Sequence, residues 1–517
     1  MNQSVKDIRS GWILVLVATL MLGVFFRVTH ISQKVYWHDE VFTSIRSSGY
    51  VEEEIVEQAF SGLPIAPSGL LQYQQLNPDR GWRETWHALT THPEHPPLYY
   101  LLTHLWMEWF GSSITATRSL SVLFSLLAFP VLYWLCQEVF EKAAVGWIAI
   151  ALFAVSPFHV LYAQEARQSS LWTFVILLST AVLLRAMRRQ TWAGWGFYAI
   201  TVALSIYTFL LSVLVLLCHG LIVLLARPFS RRSLQRFLLA LLAGLITFVP
   251  WVAVMIQNQA EMQSKTLWIK DSPPRSLLVK FWGLHLSSDF VDPGLPLDHL
   301  YTYLVPPLTL ILLGVSLWVL CRHQPFHTWF PITLLVGVPA IALILPDILL
   351  GGQRSITTRY FAPTLIGAQL TVSYLIIYWM QHSSSWKRQL GRGLFALLLT
   401  VGVISCGMSW QSRTWWSKGV SFNNAETAEF LNQYTQPLVI SSLGDTTLGN
   451  VISLSYLLKE EARFQLVVEP NIPNPMERSD RFLFYPSEQL IQGLQAAYSL
   501  KAIPVEPPKA VLRLVDL

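Results

Sequence analysis

Two neighbouring carboxylates, Asp39 and Glu40, follow closely after an apolar run that is long enough to cross a membrane. A carboxylate at such a place can accept the proton of a hydroxyl group as that group attacks an electrophile, and an apolar wall raises its basicity. Two in succession allow one to act as the base while the other orients it or a cation. Solvated loop acids are the alternative, but the aromatic residues of YWHDEVF favour a buried setting. We therefore predict that Asp39 and Glu40 are catalytic.

A second polar group, Glu94 and His95, stands before two prolines in PEHPPLYY. Pro96 or Pro97 can begin a helix, because the missing N–H costs little at the first helical position. The helix would aim Glu94, His95 and its own N-terminus at one place, and such a terminus favours phosphate. A turn before an interfacial helix explains the same residues without a ligand, so both interpretations stay open.

A third group, Glu165 and Arg167 in AQEARQ, lies between two apolar runs. Charged side chains are costly in hydrocarbon, and the loop is too short to carry them far into water. We expect them in a polar cavity, where Arg167 could bind phosphate in a bidentate way and Glu165 could be its partner or a cation ligand.

Further arginines, Arg354 and Arg359 of QRSITTRYF and Arg118 before a later span, are predicted on the same side of the membrane. Each alone is more often an anchor that extends to the membrane interface. Several that converge beside a carboxylate pair predict an anion-binding lining.

Neither a metal nor a nucleotide is indicated by a motif. Five histidines have no metal-ligand spacing such as HExxH, and we therefore predict no metal site: His38, His92, His95, His159 and His285. A divalent cation beside the acids stays possible. Walker, GxGxxG and GxSxG motifs are absent from the sequence. The four cysteines lie inside apolar runs without CxxC spacing, which predicts packing roles.

The elements that must position these groups are membrane helices. Of 517 residues, 53% are hydrophobic and 13% charged, whereas soluble domains carry about 25% charged residues. Residues 11–29 follow Lys6 and Arg9 and contain no A-x-A cleavage signal, so we expect a retained first helix with a cytoplasmic N-terminus. With it, the apolar runs predict about eleven spans: 119–139, 143–161, 171–186, 193–208, 210–226, 237–256, 303–321, 331–349, 361–380 and 393–411.

The loops fall into two sets. Basic loops near residues 185–189, 227–236, 322 and 387–392 predict the cytoplasmic face, which explains the net charge of +5 without nucleic acid. The candidate groups all belong to the opposite, extracytoplasmic set, and we expect them to share one pocket. Residues 95–111 are apolar, but a full crossing there would reverse every later loop. We therefore expect an interfacial helix.

Residues 412–517 have a different character, with scattered charges and short apolar strands at 437–442, 464–469 and 481–486 before a helix at 487–499. We predict a small extracytoplasmic α/β domain there. Residues 1–411 form the predicted membrane domain, with a long first outer loop at 30–117.

Taken in order, WHDE after the first helix, EHPPLYYLLTHLW, YAQEARQ and a late RYF resemble the GT-C membrane glycosyltransferases of the protein O-mannosyltransferase and aminoarabinose transferase type. The resemblance implies a GT-C-type polytopic helical fold in the cell envelope, a bacterial inner or plasma membrane, and a polyprenyl-phosphate sugar donor. It also implies inverting transfer to a hydroxyl or amine of a lipid, glycan or protein acceptor on the extracytoplasmic face.

The resemblance assigns the base to Asp39, with Glu40 beside it, and donor binding to Glu94, His95 and Glu165. The remaining expected donor contacts are Arg118, Arg167, Arg354, Arg359 and Tyr360. The aminoarabinose enzymes resemble one another in having Lys where this sequence has His95, and a neutral imidazole holds phosphate less firmly than an ammonium group. Two other functions stay open, a lipid-linked sugar transporter or flippase and a non-catalytic lipid-glycan binding protein. Neither duplicated halves nor midplane charges, which are frequent in transporters, are visible.

Overall fold

The computed structural model describes residues 2–475, 480–505, 507–508 and 510–516, and for residues 2–11 the backbone alone. The chain forms two compact units. The first comprises Met1–His30, His92–Tyr99 and Arg118–Gln411, and the second comprises Ile31–Thr91, Tyr100–Thr117 and Ser412–Leu517. The second unit thus combines most of the first outer loop with the carboxy-terminal region. The division at 411 and 412 that the sequence predicts stays a prediction.

The first unit is helical. Its α-helices are Asn2–Val28, Ile114–Phe140, Ala143–Ala154, Pro157–Ala163, Ser169–Arg189, Trp192–Thr208, Ser212–Leu224, Arg231–Ile246, Val249–Gln257, Gln259–Lys265, Arg275–Ser287, Leu300–His323, Phe326–Leu350, Ala362–Met380 and Ser385–Gln411. Short 3₁₀ helices are Leu267–Lys270, Arg354–Ile356 and Thr358–Phe361. Helix Ala362–Met380 lies at the centre, where apolar residues such as Leu365, Leu370 and Leu375 are buried against the neighbouring helices.

Six helices among the described residues are long and apolar enough to cross a membrane, or up to eight if each of two bent helix pairs is one span. The bent pairs are Ala143–Ala154 with Pro157–Ala163, at 60°, and Arg231–Ile246 with Val249–Gln257, at 47°. These helices confirm a polytopic helical fold, while the count of eleven stays a prediction.

The segment predicted to lie at the interface forms helix Leu98–Phe110. Its 13 residues span about 20 Å at 1.5 Å per residue, which is less than the ~30 Å of a hydrocarbon core. It begins one residue after Pro97 and ends before Gly111, whose positive φ of 82° favours glycine. Its length agrees with an interfacial helix, and its membrane topology stays a prediction.

The second unit contains an α/β layer. Its α-helices are His38–Ser47, Glu52–Ala59, Pro67–Leu71, Trp82–Thr91, Asn424–Leu431, Thr447–Ser455 and Glu488–Tyr498, with 3₁₀ helices Gln72–Gln74 and Trp416–Ser421. Its strands are β1 (Ser61–Ile65), β2 (Leu438–Ser442), β3 (Arg463–Val467), β4 (Arg481–Phe484), β5 (Leu500–Pro504) and β6 (Val511–Asp516).

The strands form one sheet in the order β1-β3-β2-β4-β6-β5. Strands β3, β2 and β4 are parallel, and the others pair antiparallel. The parallel strands are almost wholly buried, as expected when both faces of a sheet are covered. Strands β2, β3 and β4 and the helix Glu488–Tyr498 confirm the predicted α/β region. Strand β1 was not predicted, because Gly62 and Pro64 interrupt its pattern.

Candidate active site

In the second unit, Asp39 and Glu40 occupy the first turn of helix His38–Ser47. Carboxylates are stabilised there by the positive end of the helix dipole. The two differ in setting, because Asp39 is half-buried whereas Glu40 is fully buried. The Glu40 side chain accepts a hydrogen bond from the backbone N–H of Trp37, at 3.4 Å. Adjacent carboxylates in unlike surroundings can have different roles.

Glu40 also forms an ion pair with Lys418, whose Nζ lies 3.5 Å from its Oε2. Neither side chain of this pair has any exposed surface. The backbone N–H of His38 donates to Ser421 Oγ at 3.0 Å. The acidic turn is therefore held by residues of the 3₁₀ helix Trp416–Ser421, which the sequence did not indicate as part of a site.

In the first unit, the AQEARQ loop connects helices Pro157–Ala163 and Ser169–Arg189. The Gln164 side-chain amide donates to the carbonyls of Phe26 and Thr29, each at 2.8 Å. These bonds attach the loop to the end of the first helix. Glu165 and Arg167 are both buried, as predicted for side chains that do not reach bulk water.

Arg167 lies beside His95. Its Nη2 is 3.3 Å from His95 Nε2, and since a guanidinium can only donate, the imidazole nitrogen is the acceptor. The backbone carbonyl of Arg167 accepts from Ser121 Oγ at 3.1 Å, and that hydroxyl is 2.7 Å from the hydroxyl of Tyr99. The structure thus brings together two predicted donor-binding residues, and Arg167 supplies the positive charge that a neutral His95 lacks.

Glu94 and Arg118 belong to the same unit. Arg118 is fully buried and lies one helical turn before Ser121, whose hydroxyl donates to the Arg167 carbonyl. Glu94 directly precedes His95 and is half-buried. Among these predicted residues, the contact that the structure shows is the one between Arg167 and His95.

The QRSITTRYF turn is organised by Asp347, at the end of helix Phe326–Leu350. This buried carboxylate accepts bonds from Arg354 Nη1 at 3.0 Å, from the Ser355 N–H at 2.8 Å and from Ser355 Oγ at 2.6 Å. Arg354 also donates to the Gly351 carbonyl at 2.8 Å. Arg354 thus helps to hold the turn, and its predicted role as a phosphate ligand stays a prediction.

His285 supports the same turn from helix Arg275–Ser287, which is not among the candidate spans. Burial lowers the pKa of His285 to about 3, so the imidazole is neutral. Its Nε2 is 3.1 Å from the Ser355 carbonyl and must donate, and its Nδ1 accepts from Thr358 Oγ1 at 2.9 Å. The neutral tautomer is therefore matched to both partners.

Arg359 and Tyr360 end the turn. The guanidinium carbon of Arg359 lies 5.7 Å from the ring centroid of Tyr360. The centroid of that ring lies 5.6 Å from the ring centroid of Phe209, which in turn lies 4.8 Å from that of Trp172. Trp172 is in the first turn of the helix that follows Arg167. Aromatic contacts therefore connect the two predicted arginine loops within the first unit.

Three residues that contact the predicted site residues or their turns were not themselves predicted from the sequence as site residues. Asp347 is an isolated acid in the apolar run LILPDILL, and an acid inside such a run is a usual sign of a functional or structural role. His285 was considered only as a metal ligand. Lys418 follows two tryptophans in WWSKGVS, where a cation near an aromatic ring was a weaker signal.

Residues 94–256 match the family model described as dolichyl-phosphate-mannose-protein mannosyltransferase. This range includes Glu94, His95, Arg118, Glu165 and Arg167. No curated protein matches the chain at the significance required.

Two solved structures share the fold over almost the whole chain. They are ArnT from Cupriavidus metallidurans, bound to undecaprenyl phosphate and in the apo state. Each is 13% identical, covers 98% of this chain and 98% of its own, and has a TM-score of 0.52. The archaeal oligosaccharyltransferase AglB from Archaeoglobus fulgidus, in complex with an inhibitory peptide and a dolichol-phosphate, is 14% identical over 89% of this chain and 65% of its own. Its TM-score is 0.48. The family match over residues 94–256 and the fold shared with ArnT agree with the resemblance to the GT-C membrane glycosyltransferases that the motifs indicate.

Proposed function

We propose that the chain transfers a sugar from a polyprenyl-phosphate donor to an acceptor hydroxyl or amine on the extracytoplasmic face of a membrane. The contact between Arg167 and His95 carries the proposal, because it places a buried cation in the region that matches the mannosyltransferase family. A phosphate leaving group requires such a cation, and Arg can bind it through two parallel hydrogen bonds. The undecaprenyl phosphate bound to ArnT is a ligand of the class we propose.

The proposed reaction is a direct displacement. Asp39 takes the proton of the acceptor as the acceptor oxygen or nitrogen forms a bond to the anomeric carbon. The bond from that carbon to the phosphate oxygen breaks, and the electron pair leaves with the polyprenyl phosphate. Arg167 stabilises the developing charge, and Arg359 is a second candidate. Attack opposite the leaving group inverts the anomeric configuration.

Two measurements on protein reconstituted in liposomes test this function. The first is binding of undecaprenyl phosphate, and the second is transfer of labelled sugar from polyprenyl-phosphate hexose and pentose donors to extracted envelope acceptors. Asp39→Asn should retain binding and reduce transfer about 10²–10⁴-fold, because a general base contributes that much. Arg167→Met should weaken binding about 10–100-fold through loss of a charge-assisted hydrogen bond. The exposed Glu57→Gln and Arg232→Met are matched controls.

Full transfer by Asp39→Asn would remove Asp39 from its role. Binding by the wild-type protein without transfer from any donor would favour a binding protein. Movement of the intact donor across the bilayer without a new glycosidic bond would favour a flippase. Transfer measured with and without EDTA decides whether a divalent cation takes part.

A further inference from the structure

The buried pair of Glu40 and Lys418 connects residues that are 378 positions apart in the chain. Lys418 Nζ also lies 5.3 Å from the ring centroid of Trp37, the residue that precedes the acidic helix. The same carboxylate accepts the Trp37 N–H. One cation therefore contacts both sides of the turn that presents Asp39.

A second set of contacts joins the same two segments of the chain. The Val35 N–H donates to the Arg413 carbonyl at 2.8 Å, and the His38 N–H donates to Ser421 Oγ. That hydroxyl in turn donates to Asn450 Oδ1 at 2.8 Å. Residues 413–421 therefore run beside residues 35–38 and fix the backbone immediately before Asp39.

Glu40 and Asp39 differ in burial and in the groups that surround them. A fully buried carboxylate is stable as an anion only when a cation and hydrogen-bond donors compensate it. Glu40 has both, from Lys418 and from Trp37. The Oε2 atom of Glu40 is thus held within the fold by both groups, whereas Asp39 is only half-buried.

We propose that Lys418 is a positioning residue, which acts through Glu40 to hold the turn that presents Asp39 to the acceptor. The inference rests on the proposed function and deepens it, because it assigns Glu40 a positioning role in place of a catalytic one. It also assigns the segment 412–421 to the active site, although this segment lies far outside the family match.

Four reconstituted variants test the proposal: Lys418→Met, Glu40→Gln, the double variant Glu40→Gln/Lys418→Met, and Lys501→Met, an exposed lysine of the same unit, as control. Lys418→Met leaves a buried carboxylate without its cation and should lower kcat about 100-fold, since small displacements of a catalytic group cost that much. The KM for the donor should stay unchanged. In the double variant, the glutamine can still accept the Trp37 N–H without any charge, so kcat should recover at least about tenfold relative to Lys418→Met.

Hydrogen exchange of the peptide 34–47 supplies a readout that does not require transfer. Exchange should rise in Lys418→Met and return towards the wild-type value in the double variant. A double variant that folds but transfers no faster than Lys418→Met would overturn the proposal, as would wild-type kcat in Lys418→Met. If Lys418→Met does not fold, the double variant alone decides, against wild type and Lys501→Met. Failure of the proposed function is distinguishable, because it appears as no transfer by the wild type or as full transfer by Asp39→Asn, whereas failure of the positioning role leaves both of those results as expected.

Discussion

Asp289 is a buried acid of the first unit that lies in the connection between helices Arg275–Ser287 and Leu300–His323. Its Oδ1 accepts a hydrogen bond from Ser156 Oγ at 3.1 Å. His159 Nε2 is 3.8 Å away, too far for a hydrogen bond. Burial raises the pKa of Asp289 from 3.8 to about 8, and the bond from Ser156 opposes this shift. The folded protein therefore holds a neutral carboxylic acid at pH 7.

This neutral acid predicts a pH-dependent stability. Between pH 4 and pH 8 the folded state keeps a proton that the unfolded state releases, so the contribution of Asp289 falls by about 1.4 kcal/mol per pH unit as pH rises. Asp289→Asn does not titrate. We expect its thermal unfolding midpoint in detergent to exceed that of the wild type progressively from pH 4.5 to pH 7.5.

The exposed Asp445→Asn serves as the control and should show no such trend. A difference between Asp289→Asn and wild type that is constant across this pH range would contradict the prediction.

The sequence predicted which residue types could form a site but not their partners. Glu94, His95 and Arg167 were found because charged residues beside apolar runs are costly and therefore informative. The bond between Arg167 and His95 was not predictable, because it depends on how two distant loops pack. The same limit applies to Asp347, whose role in the Arg354 turn is defined only by the fold.

Arg27 illustrates how one side chain can determine an element. It is fully buried, and its guanidinium donates to the carbonyls of Phe153 and Ala154, where helix Ala143–Ala154 ends, at 3.0 and 2.7 Å. Its Nε donates to Ser125 Oγ at 2.9 Å. Helix ends leave carbonyls without intrahelical partners, and Arg27 satisfies them at the 60° bend before Pro157–Ala163. This bend directs the chain towards the loop that carries Arg167.

Replacement of Arg27 by methionine should destabilise the protein by about 3 kcal/mol. The carbonyls of Gly23, Phe153 and Ala154 and one hydroxyl, that of Ser125, would each lose a hydrogen bond from Arg27. Each loss costs about 1–3 kcal/mol, and the total is reduced because the desolvation cost of a buried cation is removed as well. The thermal unfolding midpoint in detergent measures this loss, and the exposed Arg232→Met should leave it unchanged. Equal midpoints for Arg27→Met and wild type would show that the helix bend does not depend on this cation.

At the scale of elements, the strongly apolar helices and the strands β2, β3 and β4 were predictable from composition and pattern. The bend at 154–157 was not predicted, although Ser156 and Pro157 interrupt the apolar run with a usual helix-start signal. Strand β1 was not predicted either, because its own sequence carries no strand pattern. Its five residues SGLPI have no alternation and become a strand only because β3 supplies a partner.

For the whole molecule, the basic loops predict one orientation, which cysteine labelling can test. Of the native cysteines, Cys136, Cys218 and Cys406 are buried and only Cys321 is exposed. In a Cys321→Ser background, Glu57→Cys and Lys501→Cys should react with an impermeant maleimide added outside intact cells. Arg232→Cys should react only after the membrane is opened, because its basic loop is expected in the cytoplasm.

Arg232→Cys labelled from outside would reverse the proposed orientation. Labelling of Glu57→Cys and Lys501→Cys from opposite sides would contradict a common location for the first outer loop and the carboxy-terminal region. Either result would contradict a reaction on the extracytoplasmic face.

The pairing of β1 with β3 has a consequence for biogenesis. The Gln465 side-chain amide donates to the Gly62 carbonyl across 403 positions of sequence, and β1 pairs with no strand closer in sequence than β3 among the described residues. During synthesis, β1 leaves the ribosome long before its neighbour, and the long apolar helices of the first unit are made between the two. Until β3 is made, the backbone N–H and C=O groups of this segment have no strand partner, and unpaired backbone of this kind is prone to wrong pairing, which chaperones can prevent.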